Sequence, residues 1–141
     1  ELGRAVDPRA LLSLEWPSPE IRPNHLRAQA IYLDTFGNVK LSALTDDVEA
    51  ALPGLQFGDQ LLLRAGTAAP GRDQTVTWAR TFGDVPEGAP LLTADSYGRV
   101  ALSVHQGSAR ERFAILRDSV IDVGRKVPPA PAARPRQPSR D

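Results

Sequence analysis

Three short stretches of this chain concentrate side chains able to hold a polar ligand. In Tyr32-Leu33-Asp34-Thr35-Phe36-Gly37-Asn38 a carboxylate, an aromatic face and a carboxamide follow one another at the end of an apolar strand pattern. The Asp34 carboxylate can accept from an ammonium group or a sugar hydroxyl. The Asn38 amide can donate and accept along a purine edge, and Phe36 offers a stacking face. The same residues equally suit an Asx turn in which Gly37 supplies positive φ and Phe36 joins the core. Asp95-Ser96-Tyr97-Gly98-Arg99 reads as a good hairpin turn and no more. Val104-His105-Gln106-Gly107-Ser108-Ala109 reads as a strand end, whose small residues let a ligand approach main-chain N–H and C=O groups.

Other chemistries find no footing. The chain has no cysteine, which excludes disulfides, thiolate zinc sites and thiol catalysis. Its two histidines, His25 and His105, are far apart in sequence and lack a His or Glu at metal-ligand spacing, so no metal site is expected. Seventeen Lys and Arg balance seventeen Asp and Glu, and this neutrality argues against a nucleic-acid partner or an anionic membrane. Trp78 and Tyr32 read as core or subunit-interface residues rather than a platform for bases. No run approaches the ~20 apolar residues of a membrane helix, and no basic segment leads into an apolar one as in a signal peptide. A cytoplasmic location is the expectation. The absence of methionine makes a piece of a longer protein, or a chain trimmed at its start, the expected context.

The elements that must position these residues follow from periodicity and punctuation. Residues 1–26 contain four prolines and one short apolar run and read as an extended connector between domains. Strand patterns begin at Arg27, resume over Val39–Ala43, and recur over Gln60–Leu63, Thr75–Arg80, Pro90–Ala94, Val100–Val104 and Val120–Val123. Thr45-Asp46-Asp47-Val48-Glu49 reads as a helix start with Thr45 as cap, stopped by Pro53-Gly54. A loop rich in Gly, Ala and Pro is expected over Ala65–Asp73, and Ala109–Phe113 suits one helical turn. Short strands parted by glycine turns predict an all-β domain over residues 27–124, a small closed or nearly closed β-barrel with one short helix. Residues 125–141 hold five prolines and five basic side chains, and cannot bury enough surface to order themselves; a disordered tail is expected.

Taken together, Leu33-Asp34-x-Phe36-Gly37-Asn38, then Trp78-Ala79-Arg80-Thr81-Phe82, then Asp95-Ser96-Tyr97-Gly98, then Gln106-Gly107-Ser108-Ala109 resemble, in that order, the C-terminal domain of the S-adenosylmethionine (SAM) hydroxide adenosyltransferases. These SAM hydrolases are relatives of the fluorinase and chlorinase enzymes, and the likeness spans roughly Arg27 to Ile121. The resemblance implies a substrate, S-adenosyl-L-methionine, and no cofactor. It places Asp34 near the amino-acid part of that substrate, Asn38 and an aromatic at Phe82 against adenine, and Ser96 near the methionine carboxylate. It puts Val104 to Gln106 where main-chain groups meet the base, and Phe36 at the pocket edge. It also implies a homotrimer, with the pocket between this domain and the N-terminal domain of a neighbouring subunit. That N-terminal domain carries the residues that position water, so no catalytic residue is expected in this chain, and the chain alone is expected to be inactive. Tyr97 stands where halide-using members carry arginine, which favours hydrolysis to adenosine and methionine over halide transfer. Two departures mark this chain: Leu41-Ser42 stands where relatives usually carry a Thr-Asn pair, and His105 stands at a site that is often asparagine. A halide-using synthase of the same family and a non-enzymatic interaction barrel are the rival readings.

Overall fold

Proline and glycine punctuation divides the chain into short strands whose burial alternates from residue to residue. The computed structural model describes residues 16–65 and 72–126. The start of the expected connector, most of the 65–73 loop and the 127–141 part of the expected tail lie outside the described residues. Among those described, the strands are β1 (Glu20–Arg22), β2 (His25–Leu33), β3 (Val39–Leu44), β4 (Gln60–Ala65), β5 (Gln74–Trp78), β6 (Pro90–Ala94), β7 (Arg99–Val104) and β8 (Val120–Arg125). Helix α1 (Thr45–Ala51) follows β3, and a single turn, α2 (Ala109–Arg112), follows β7.

Hydrogen-bonded neighbours run β2-β3-β7-β6-β5-β4-β8 and return to β2, closing a seven-stranded barrel. Closure pairs the strand edges that would otherwise template aggregation. The expected all-β barrel with one short helix is therefore the observed fold. Strand β1 extends the sheet beside β2, and β5–β6 is the one parallel pair among the described residues. A parallel pair cannot be joined by a tight turn. The connection over residues 79–89 therefore crosses the outside of the barrel, and it becomes a wall of the site described below.

Alternation decides what fills the barrel. Along β7, Val100, Leu102 and Val104 enter the main core, while Ala101 and Ser103 face outward. Leu26, Leu41, Leu61, Leu63 and Ile121 come from other strands, and Phe113 and Ile115 from the segment after α2; each is at most 1% exposed. Truncating a buried aromatic such as Phe113 costs about 3–5 kcal/mol. A smaller apolar cluster of Ala79, Val85 and Leu91 fastens the 79–89 crossover to the outer face of β6.

Several boundaries differ from the pattern-based expectation. The sheet begins before Arg27, because Pro23-Asn24 turns the chain back with Asn24 at φ 58° and lets Glu20–Arg22 pair with β2. Strand β5 ends at Trp78, two residues short of Arg80. Thr45 is not the helix cap. Leu44 occupies that position and donates its N–H to the Asp47 carboxylate at 2.8 Å. The Thr45 hydroxyl donates instead to the Gly98 carbonyl at 3.0 Å, so the turn between β6 and β7 has claimed it.

Candidate functional site

Two five-residue turns, Asp34-Thr35-Phe36-Gly37-Asn38 and Asp95-Ser96-Tyr97-Gly98-Arg99, share one construction. In each, the first main-chain N–H donates to the carbonyl of the fifth residue, at 3.0 Å from Asp34 and 2.9 Å from Asp95. One carboxylate oxygen accepts from the third and fifth N–H groups, at 2.9 Å from both Phe36 and Asn38, and at 2.9 Å from Tyr97 and 3.0 Å from Arg99. The glycine takes positive φ, 86° at Gly37 and 76° at Gly98. The aromatic before it is thrown outward, leaving Phe36 80% and Tyr97 90% exposed. Phe36 is thus not a core residue.

Each carboxylate keeps a second oxygen for the site. That of Asp34 accepts from the Asn38 amide at 2.8 Å, which fixes the carboxamide and turns its carbonyl oxygen away. That of Asp95 accepts from Lys40 Nζ at 2.9 Å. Partial burial pushes the Asp34 carboxyl up, but hydrogen bonds from the Asn38 side chain and from the Asn38, Phe36 and Gly37 N–H groups outweigh it and hold the group below the usual carboxylate range. Burial also pushes Asp95 up. The Lys40 hydrogen bond, the Arg99 and Tyr97 N–H groups and the Lys40 charge bring it below that range too. Both turns therefore hold fixed negative charges at neutral pH.

Between the turns lies an open groove of about 340 Å³ on the outer barrel surface. Its floor is the outward face of β3, β7 and β6, where Lys40, Ala101 and Thr93 form one cross-strand row. Asn38 lies two residues before this row on β3's side, and Asp95 two residues beyond it at the end of β6, on strands separated by β7. At ~3.4 Å per residue and ~4.8 Å between strands, the two ends are about 17 Å apart from Cα to Cα. That diagonal suits an elongated ligand with chemically different ends. The outer wall is Arg80-Thr81-Phe82. The Asp84 carboxylate braces it by accepting from the Arg80 and Thr81 N–H groups at 2.9 and 3.1 Å. The His105 ring braces it from below, its Nδ1 donating to the Val85 carbonyl at 2.8 Å. The Arg80 guanidinium lies 4.7 Å from the centre of the Phe57 ring, which itself stacks on Trp78.

The groove brings Asp34, Asn38 and Phe82 together. Ser96 and Tyr97 sit one and two residues beyond its Asp95 end, exposed, and Phe36 is exposed in the opposite turn. Val104 and Gln106 are not among the residues that line it. The Val104 side chain is buried in the core, and Gln106 is an exposed turn residue at φ 54°. The main-chain N–H and C=O of His105 are taken by Ala89 and Gly88 at 3.0 and 2.7 Å. The lining also includes Lys40, Arg80, Thr93, Asp95, Ala101 and Ser103, none of which the sequence assigned a contact with the ligand. A signal for them exists. Strand period puts residues 38 and 40 on one face, and the small Ala101 and Ser103 alternate with large residues, as a floor requires. A second indentation, beside Arg27, Arg64 and Asp122, is lined by charges that largely pair among themselves, with Arg27 2.8 Å from Asp122 and Arg64 2.9 Å from Asp73. Among the described residues no helix is long and apolar enough to cross a membrane.

A family model described as the SAM hydroxide adenosyltransferase C-terminal domain matches residues 28–121. The chain is 30% identical over 115 residues to the (R)-S-adenosyl-L-methionine hydrolase of Salinispora arenicola, and 32% identical over 117 residues to the enzyme of that name from Salinispora tropica. Each match covers 82% of this chain but only 39% of the relative, so the chain spans well under half the length of these curated relatives. Among solved structures, an uncharacterized conserved protein from Thermotoga maritima superposes with a TM-score of 0.70 at 26% identity, covering 82% of this chain and 43% of that one. A conserved hypothetical protein from Thermus thermophilus superposes at 0.54 with 27% identity, covering 86% and 43%.

Proposed function

This chain belongs to the SAM hydroxide adenosyltransferase C-terminal domain family, and from that premise we propose that its outer groove is the adenosyl-binding half of an enzyme that hydrolyses S-adenosyl-L-methionine to adenosine and L-methionine. The observation that carries the reading is the convergence of Asp34, Asn38 and Phe82 on one groove, since three strands and helix α1 separate Phe82 from the other two in sequence. The shared name of the Salinispora relatives supports the substrate.

In this reading Asn38 meets the purine edge, with its carbonyl oxygen presented outward because its amide is bound to Asp34. Such an acceptor matches an exocyclic amine and opposes a carbonyl in the same place. Phe82, 41% exposed on the braced wall, covers the base. The amino-acid end reaches the Asp95-Ser96 turn. Water attacks the 5′ carbon of the sugar, the C5′–S bond breaks with its electron pair going to sulfur, and one of the two water protons passes to solvent while the other stays on the new 5′ hydroxyl. The sulfonium supplies a neutral thioether as leaving group, so no acid is needed at sulfur. The task of this chain is to fix the electrophile and exclude bulk water. The groups that orient the attacking water are assigned to a preceding domain of a neighbouring subunit, in a homotrimer.

The test is incubation of the full-length protein with S-adenosyl-L-methionine in water enriched in oxygen-18. Adenosine carrying one heavy oxygen at its 5′ position, together with unlabelled methionine in equal amount, is the expected result. Adenosine without label, or no cleavage by a folded protein, would overturn the reading.

A further inference from the structure

The groove floor carries an ion pair that neither turn needs for its fold. Asp95 holds its turn through one oxygen, which accepts from the Tyr97 and Arg99 N–H groups, while Lys40 bonds to the other. The Lys40 side chain crosses β7 to get there, over Ala101, which offers only a methyl group in the row between Lys40 and Thr93. Lys40 and Asp95 are 39% and 24% exposed, and a pair this open to solvent adds little to stability. Its position is more informative. Lys40 rises from the central row of the groove floor, its ammonium meets Asp95 at the end opposite Asn38, and it spends one of three donors there.

Resting on the groove's assignment to an adenosyl ligand, we propose that the Lys40–Asp95 pair reads the amino-acid end of that ligand, with Lys40 selecting for its carboxylate. A zwitterion laid head to tail against a Lys–Asp pair places carboxylate on ammonium and ammonium on carboxylate. Both ligand charges then keep charge-assisted partners as water leaves. The Asp95 oxygen that faces the groove is the one bonded to Lys40 and not the one that holds the turn, so both contacts form without disturbing the turn. Arg80 is less suited to the task, since its guanidinium is held over Phe57 on the opposite wall.

The experiment edits residue and ligand together. Dissociation constants are measured for the full-length protein with S-adenosyl-L-methionine, with its analogue lacking the carboxylate, and with adenosine, in wild type, Lys40→Met and Lys40→Arg. Loss of one charge-assisted contact makes the wild type bind the decarboxylated analogue roughly 10- to 100-fold more weakly than the substrate. In Lys40→Met that gap closes while adenosine binding stays as in wild type, and Lys40→Arg retains most of the gap. An unchanged gap in Lys40→Met, or an equal loss for all three ligands, would overturn the proposal and leave Lys40 a structural residue. A folded wild type that binds none of the three would overturn the groove assignment beneath it.

Discussion

At the scale of single residues, the two aspartates matter first as turn builders. Asp34 accepts from two main-chain N–H groups and one amide, so its charge organises Asn38 before any ligand arrives. A carboxyl whose folded pKa is depressed stabilises the fold wherever it is ionised. That stabilisation is complete above the unfolded-state value of about 3.9 and is lost as pH falls through the lower folded value. Asp34→Asn keeps the shape but not the charge, and is expected to lower stability at pH 7 by about 1–2 kcal/mol. Denaturant melts taken from pH 7 to pH 2 check the sign: the difference between wild type and variant shrinks only below about pH 4. A constant difference would mean that the charge plays no part. The sequence offered this residue either as ligand or as Asx turn. The structure shows the turn directly, and the second carboxylate oxygen, which holds the Asn38 amide, is what links the two readings.

At the scale of elements, most strands were legible because alternation and punctuation agree, as in Pro90–Ala94 and Val100–Val104. The early pairing of Glu20–Arg22 was not legible, since prolines on either side mask a three-residue strand whose partner is set by tertiary contact. Nor was the outward floor of β3, β7 and β6. Strand period shows that Lys40 shares a face with Asn38, but its place beside Ala101 and Thr93 depends on cross-strand register, which no local pattern encodes. The Phe36-Gly37-Asn38 turn is locked by the segment leading into α2. Gly37 is buried, its carbonyl accepts from the Arg110 N–H at 3.0 Å, and a Cβ there would fall 2.0 Å from Ser108 Oγ. Gly37→Ala combines this clash with a left-handed backbone, and is expected to cost about 2–4 kcal/mol. Thermal unfolding of the variant checks it. Ser108→Gly added in the same chain should recover part of the loss, and no recovery would place the cost in the backbone alone.

At the scale of the whole molecule, the closed barrel carries a shallow, open groove on its outer face, which the proposed function makes half of a binding site. Its floor and one wall are built from β3, β7, β6 and the crossover required by the parallel β5–β6 pair. The side facing solvent is open, which accords with a chain that spans 39% of its curated relatives. Fold and family were legible because four spaced motifs preserve their order along the barrel. The charges that line the groove were less so, because a groove between strands is a property of the closed sheet. Whether this groove holds the adenosyl group is decided by steady-state kinetics of the full-length protein with S-adenosyl-L-methionine, comparing wild type with Asn38→Ala. The wild type is expected to release adenosine and methionine in equal amounts, with kcat/KM lowered roughly 10- to 100-fold in the folded variant as one buried hydrogen bond to the base is lost. Identical kinetics in wild type and variant would contradict it.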